Sequence, residues 1–379
     1  MSSTGQQGTR PVAIGSLPVG TGPAVVLRGA SAAATPSAAP ERSASRPASG
    51  AVAGQDGPAR EPDGKHADGV WLRPPAGRAA AELTRVRAWW DGPLLAEPAT
   101  PDDLPALAAH ADALVLGPAW AGDPALVTVA GALALPVVLA RGAAALEDWL
   151  RAAGAFAAAG APGVVLCEDG ALRASSGPSG VAGPDLGLAR AARTRSGLPV
   201  LVAPGDDPHL AAATVAAGAD GLWLAPEAGP DDLTAAREAV TLVGALIREE
   251  APGSVDDARQ AIDRVDAALA VLLERRARLA GTVQRLKPVG GFAGRDMERE
   301  RRLVAAMARR APLLGEHRLA PIMNAVIEAG LHLAEETRRD TRDNGGKPAS
   351  HGAEKASHQG GHRSRTAMEA LAAPAPDHD

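Results

Sequence analysis

Two textures of apolar residues divide the chain. Between about Ala24 and Leu246, short apolar runs alternate with Ala-rich stretches of helical composition. The runs are Ala24–Leu27, Val70–Leu72, Pro93–Ala96, Ala113–Leu116, Pro136–Leu139, Gly163–Leu166, Pro199–Val202 and Gly221–Leu224. Each is continuous rather than alternating, the pattern of a strand buried on both faces of a parallel sheet. Eight such strands with helical crossovers predict a (β/α)₈ barrel-like N-terminal domain over 23–250.

From Ser254 the pattern becomes helical. Ser254 followed by Asp257 has the form of a helix start. Apolar residues then recur in three- and four-residue steps at Ile262, Val265, Leu269, Leu272, Leu279, Val283 and Leu286. The seam predicts one helix as far as Lys287, ended by Pro288. At 1.5 Å per residue it runs roughly 50 Å, too long for its own short neighbours to cover. A homodimer through this helical domain is therefore expected. Shorter helices are predicted over about Asp296–Arg310 and Glu316–Glu336, so the second domain is all-α and spans 254–336.

Three segments lack the apolar residues a core needs. Residues 1–22 are polar and Gly-rich, an insert at about 30–68 is built from Ala, Pro, Ser and Gly, and 337–379 is polar with scattered histidines. Such compositions bury too little surface to offset ordering entropy, and all three are expected to be disordered.

Composition narrows the class of function. Apolar residues make up 46% of the chain, enough for two cores, but the aromatics are two Phe, six Trp and no Tyr. A net charge of −5 and so few stacking side chains argue against a nucleic-acid partner. No run has membrane-spanning length, and no basic-then-apolar signal opens the chain. The single cysteine, Cys167, suits a reducing compartment. These features together predict a cytoplasmic protein without a membrane partner.

One residue breaks the helical seam. Arg276 stands where the spacing asks for an apolar side chain, and a buried Arg is costly unless an anion meets it. Lys287 follows eleven residues later, three turns on and facing the same way. It is the only one of four lysines outside the segments expected to be disordered. The second helix adds Asp296, with Arg299 and Glu300 three and four positions on, hence on one face. Cations projecting between helices would suit a small polyanion. A set of structural ion pairs on a basic helical face is the other reading that periodicity leaves open.

The stretch Ala258–Lys287, ARQAIDRVDAALAVLLERRARLAGTVQRLK, and the following GRDMERERRLV resemble the all-helical chorismate mutase family over about 80 residues. That family is an intertwined helical dimer that rearranges chorismate to prephenate. The resemblance implies that Arg276 and Lys287 bind substrate, with Lys287 also meeting the ether oxygen. It implies that Arg299 binds a carboxylate, that Asp296 and Glu300 hold the ring-hydroxyl side, and that Arg259 reaches the partner chain's site. The reaction stays within one molecule and needs no cofactor or metal. It needs a dicarboxylate held in a reactive conformer and charge stabilised on the breaking C–O bond.

The chain departs from the family at two positions. The resemblance places Ala334 where a Gln or Glu usually bonds the ether oxygen, and Gly330 where Ser is usual. Glu335 lies one residue further, about 100° around the helix. Three readings stay open: Glu335 substitutes, the activity is reduced, or the substrate differs. A close relative in the family acts on 4-amino-4-deoxychorismate.

The barrel region carries a second resemblance. PLLAEPATPDDLPALAAHADALVLGPAW, LPVVLARGAAALEDWLRAAGAFAAAGAPGVVLCEDG and AAATVAAGADGLWLAP resemble the short-chain class of DAHP synthase, a metal-dependent barrel that condenses phosphoenolpyruvate with erythrose 4-phosphate. Natural fusions of the two enzymes exist. The aligned positions have lost the family's active-site residues. Ala30 stands for its metal cysteine, Arg73-Pro74-Pro75-Ala76 for Lys-Pro-Arg-Thr and Pro118-Ala119-Trp120 for Ala-Arg-Asn. Ala140 before Arg141 replaces a Lys, and Asp169 after Cys167 and Glu168 replaces an Arg. Ala203-Pro204-Gly205-Asp206 replaces the Asp-Pro-Ser-His metal motif, and Ala225 the last metal Glu. Asp206, His209 and Glu227 could supply three metal ligands, but their spacing fits no known site, and no metal is expected. Cys167, in an apolar strand, reads as a core residue.

The reading that follows is a chorismate mutase with a catalytically inactive synthase-like barrel. The alternative is a chorismate-sensing or scaffold partner of an active DAHP synthase. A bifunctional enzyme is a third reading, disfavoured by the lost metal and phosphate residues.

Overall fold

The computed structural model describes residues 9–30, 67–170, 183–205, 207, 209–287 and 291–345. The chain forms two compact units that meet between Glu274 and Arg275.

In the first unit all eight apolar runs become strands. They are β3 (Val25–Gly29), β4 (Gly69–Leu72), β5 (Leu94–Ala96), β6 (Ala113–Leu116), β7 (Val137–Ala140), β8 (Val164–Glu168), β9 (Val200–Val202) and β10 (Gly221–Leu224). They close in sequence order, all parallel, with β10 pairing back onto β3. Helices α1 (Ala79–Arg87), α2 (Leu104–His110), α3 (Pro118–Ala121), α4 (Pro124–Gly131), α5 (Leu146–Ala158), α6 (Leu186–Ser196), α7 (His209–Ala216) and α8 (Pro230–Glu238) join or follow the strands. A π-helical turn at Ala239–Val243 and α9 (Gly244–Ile247) continue α8. The predicted (β/α)₈ architecture is therefore the observed one.

The strand side chains divide between two cores. Leu94, Leu114, Leu116, Leu139 and Leu166 face the helices, packing with Leu83, Trp149 and Phe156. Leu27, Trp71, Leu95, Val138, Val165, Cys167 and Trp223 fill the barrel interior. Trp71 and Trp223 stack there at 4.6 Å between ring centroids, and Trp71 Nε1 donates to the Leu224 carbonyl at 2.8 Å. Cys167 is a core residue, 1% exposed, and burial pushes its thiol well above the ordinary range.

The expectation of disorder over 1–22 is corrected from residue 9 on. Strands β1 (Val12–Ile14) and β2 (Leu17–Val19) form an antiparallel hairpin. Val12, Ile14 and Val19 enter the interior core of the barrel. The hairpin turns at Gly15, whose φ of +56° favours glycine and where a Cβ would sit tightly, 3.1 Å from the Asp112 side chain. Residues 1–8 lie outside the described residues.

The expected insert at 30–68 is tied down at both borders. Ala30 N–H donates to the Trp71 carbonyl at 2.7 Å, and Asp68 exchanges hydrogen bonds with Val26 and pairs with Arg237. Residues 31–66 lie outside the description.

Helix α10 covers Val255–Leu286, with Asp257 N–H donating to Ser254 Oγ at 3.1 Å as the sequence suggests. Its first twenty residues fall in the compact unit that holds the barrel, although the helical domain is expected from 254. Arg264 and Glu250, both largely buried, form an ion pair that ties this part of the helix to its own unit. The second unit holds the rest of α10, then α11 (Met297–Ala308) and α12 (Gly315–Gly345). Residues 337–345, expected in a disordered tail, continue α12. The helix outruns its apolar pattern because polar residues also propagate a helix once it has started. Residues 346–379 are not described. Among the described residues, no helix is long and apolar enough to cross a membrane.

Candidate active site

The second unit brings five of the six predicted site residues to one cleft. Arg276 comes from α10, Lys287 from the residue directly after its end, Asp296 from the N-cap of α11, and Arg299 and Glu300 from its first turn. The cleft holds about 280 Å³. Small-molecule pockets run upward from about 300 Å³, so a compact ligand is the right scale. Leu279, Val283, Leu303, Ile327 and Leu331 supply the apolar part of its wall.

Each charged group is held by a distinct local cause. Arg276 reaches across to α12, where Nη1 donates to the Val326 carbonyl at 3.2 Å. Lys287 Nζ donates to the Gly294 carbonyl at 2.8 Å. Asp296 is the N-cap of α11 and accepts from Arg299 N–H at 2.9 Å. That bond, before all other influences, holds the Asp296 carboxyl below its usual range. Glu300 is engaged by Arg295, with Nη2–Oε2 at 2.6 Å and Nε–Oε1 at 3.1 Å. Arg295 also reaches Glu328 and Asn324. Its guanidinium is raised, first by the bond to Glu300.

The acids of the cleft are thus met by the protein itself. The cations Arg276 and Arg299 have no carboxylate partner among the described residues, so the cleft offers positive charge to a ligand. Bidentate arginine suits carboxylates in particular.

Two cleft residues escaped sequence reasoning. Arg295 lines the wall and organises Glu300, Glu328 and Asn324. Gln284 lines it from α10, and its Oε1 accepts from Gly291 N–H at 2.7 Å. Neither breaks an apolar seam, which is the signal that exposed Arg276. Arg259 lies in the barrel unit's part of α10, exposed and paired with Asp256 at 3.3 Å. It does not line the cleft of its own chain.

Ala334 opens not onto the cleft but onto a neighbouring groove of about 660 Å³, with Arg278, Arg285 and Arg338 on its walls. This groove is the larger hollow, yet it holds none of the predicted site residues. Gln284 borders both hollows. The Glu335 carboxylate would come within 2.9 Å of a Cβ at Gly291, whose φ of +70° favours glycine. Glu335 is not one of the cleft-lining residues.

In the barrel, Arg141 and Glu168 form a buried ion pair at the ends of β7 and β8. Glu168 also accepts from Gly170 and Asp185 N–H groups, and Gly142 N–H donates to Asp169. His209 and Glu227 are exposed, and Asp206 is not described. Among the described residues, no cluster of three or more His, Cys, Asp or Glu side chains could hold a metal ion.

A three-helix unit with a small, cation-lined cleft has the size and charge to take a compact organic anion. Residues 258–335 match the family model for chorismate mutase type II, and the chain carries that isomerase domain in its helical C-terminal region. Two solved structures each align with 63% of the chain. One is a phospho-2-dehydro-3-deoxyheptonate aldolase (DAHP synthase) from Thermotoga maritima, 21% identical, TM-score 0.46, covering 63% of this chain and 73% of that one. The other is a truncated 3-deoxy-D-arabino-heptulosonate 7-phosphate synthase from Thermotoga maritima, 20% identical, TM-score 0.44, covering 63% of this chain and 92% of that one. No curated protein gives a significant match.

Proposed function

We propose that the helical domain converts chorismate to prephenate by intramolecular rearrangement, within aromatic amino acid or related metabolism. The observation that carries this reading is the convergence of Arg276, Lys287 and Arg299 on one 280 Å³ cleft, inside a stretch that matches the mutase family. Arg276 and Arg299 hold the two carboxylates and select the compact conformer. Lys287 stabilises charge on the ether oxygen as the C–O bond breaks. Glu300, fixed by Arg295, and Asp296, fixed by its capping bond, set the ring-hydroxyl side. No group in this scheme exchanges a proton or needs a metal.

The active form is a homodimer. The α10 seam supports this, since Ile262, Val265, Leu269 and Leu272 are 48–58% exposed and Leu279 is 60% exposed. In the dimer Arg259 reaches the partner's cleft. A Leu269→Arg variant should elute as a monomer on size exclusion. The barrel does not catalyse the synthase reaction. The replaced motif residues and the stacked Trp71 and Trp223 in its interior support this. Metal-dependent loss of phosphoenolpyruvate with erythrose 4-phosphate would contradict it. The protein acts in the cytoplasm.

A second reading is favoured by Ala334, which offers the cleft no hydrogen-bond donor. In it the domain senses chorismate and the barrel associates with an active DAHP synthase. Product analysis with chorismate and 4-amino-4-deoxychorismate side by side separates these readings. Prephenate formation supports the mutase, product from the amino substrate alone reassigns the substrate, and binding without turnover supports the sensor.

A further inference from the structure

We infer that Gln284 is a catalytic hydrogen-bond donor of the cleft, its side-chain amide meeting the oxygen at which negative charge develops. The inference rests on the mutase reading and adds to it a residue that no pattern in the sequence singled out.

Gln284 lies in the last turn of α10, and Lys287 follows three residues later directly after the helix end, its N–H still donating to the Val283 carbonyl at 3.1 Å. Both line the cleft. The amide is held at one end, because its Oε1 accepts from Gly291 N–H at 2.7 Å. An N–H can be met only by an acceptor, so this bond fixes which end of the amide is oxygen. The two N–H groups of Nε2 are therefore the end left to donate. Gly291 has a φ of +70°, in the left-handed region that favours glycine. The anchor for the amide is thus backbone in a constrained turn, which costs little reorganisation during a reaction.

The chemistry calls for such a group. Charge that grows on an ether oxygen is best met by donors already aimed at it. Lys287 supplies one, while its Nζ also donates to the Gly294 carbonyl. Ala334 supplies none and faces the adjoining groove, which Gln284 also borders. Glu335 does not line the cleft, and a carboxylate there would repel the growing charge. A neutral amide donates at every pH at which the fold survives.

The alternative role for Gln284 is structural, as the acceptor that holds the Gly291 turn. Gln284→Glu tells the two apart, because it keeps the acceptor and removes the donor. The inference predicts that Gln284→Glu lowers kcat for chorismate by about 10²–10³-fold at neutral pH, with a much smaller change in KM. It predicts that part of this loss returns as pH falls toward the ordinary glutamate range, where the protonated acid can donate. Gln284→Ala should lose kcat at all pH values alike.

A binding arm reads the same point without turnover. Calorimetry with a bicyclic ether dicarboxylate that mimics the transition state, and with its carbocyclic counterpart bearing CH₂ for the ether oxygen, isolates the contact. Wild type should prefer the ether compound, and Gln284→Glu should lose that preference while binding the carbocycle much as wild type does. If Gln284→Glu keeps wild-type kcat and the ether preference, the Gln284 assignment is overturned and the mutase reading stands. If wild type neither rearranges chorismate nor binds either dicarboxylate, the mutase reading itself fails, and the assignment falls with it.

Discussion

In the barrel unit, Glu168 and Asp220 are fully buried, and each is met by arginine and by backbone N–H groups. In the helical unit, Arg276 and Arg299 line a cleft with no carboxylate partner among the described residues. The apolar side chains follow the same division. Trp71 and Trp223 stack inside the barrel, 7% and 8% exposed, while Leu279, Ile322 and Leu333 in the helical unit stand about half exposed. A buried charge with its partners in place is part of a scaffold. A cation without one, beside apolar surface left open, is available to something outside the chain, and the proposed function makes that a small dianion and a second copy.

That contrast can be broken at several points. The largest effect is expected at Glu168→Ala, which strands Arg141 in the barrel. Removing one member of a buried pair costs about 3–5 kcal/mol. Urea denaturation should register most of that loss, and a loss below about 1 kcal/mol would mean the pair is not the scaffold element described.

Arg276→Ala should behave in the opposite way. Its structural loss is one hydrogen bond to the Val326 carbonyl, about 1 kcal/mol or less. Its turnover loss should be about 10²–10³-fold. If the melting temperature falls as far as in Glu168→Ala while turnover holds, Arg276 is a structural ion and the contrast between the units disappears.

Cys167 offers a probe with a smaller signal. Burial raises its thiol, so a thiol reagent should label the folded protein only at the rate of unfolding. Rapid labelling in native buffer would show that the barrel interior opens.

The smallest effect concerns Asp296. Its folded carboxyl lies below the usual range, chiefly through the Arg299 N–H. A lowered folded value contributes stability that is complete above the unfolded Asp range, near 3.9, and is lost as pH falls through the folded value. The stability difference between wild type and Asp296→Ala should therefore shrink as pH drops below about 4. A difference that grows on acidification would contradict the capping role.

The sequence made the barrel legible because strands buried on both faces write continuous apolar runs. Ala113–Leu116 is seen and found with the same ends. Strand β8 runs on to Glu168, two residues past its apolar run. Its partner Arg141 is 27 residues away, a spacing that no local pattern reveals. The hairpin of Val12 to Val19 alternates only in burial, in two strands of three residues each, too short to separate from loop in the sequence. In the helical unit, Arg276 announced itself by interrupting a seam. Gln284 and Arg295 lie off that seam, and only the folded Gly291 turn and the Glu300 carboxylate give them roles.

The central claim is that this chain's chemistry lies in the helical cleft. Its most direct test is the rate of prephenate formation by the full-length protein, measured against the uncatalysed rearrangement under the same conditions. The account predicts a rate that scales with protein concentration, far exceeds that background and collapses in Arg276→Ala. A wild-type rate equal to the background, or an Arg276→Ala rate equal to wild type with the fold intact, would contradict it.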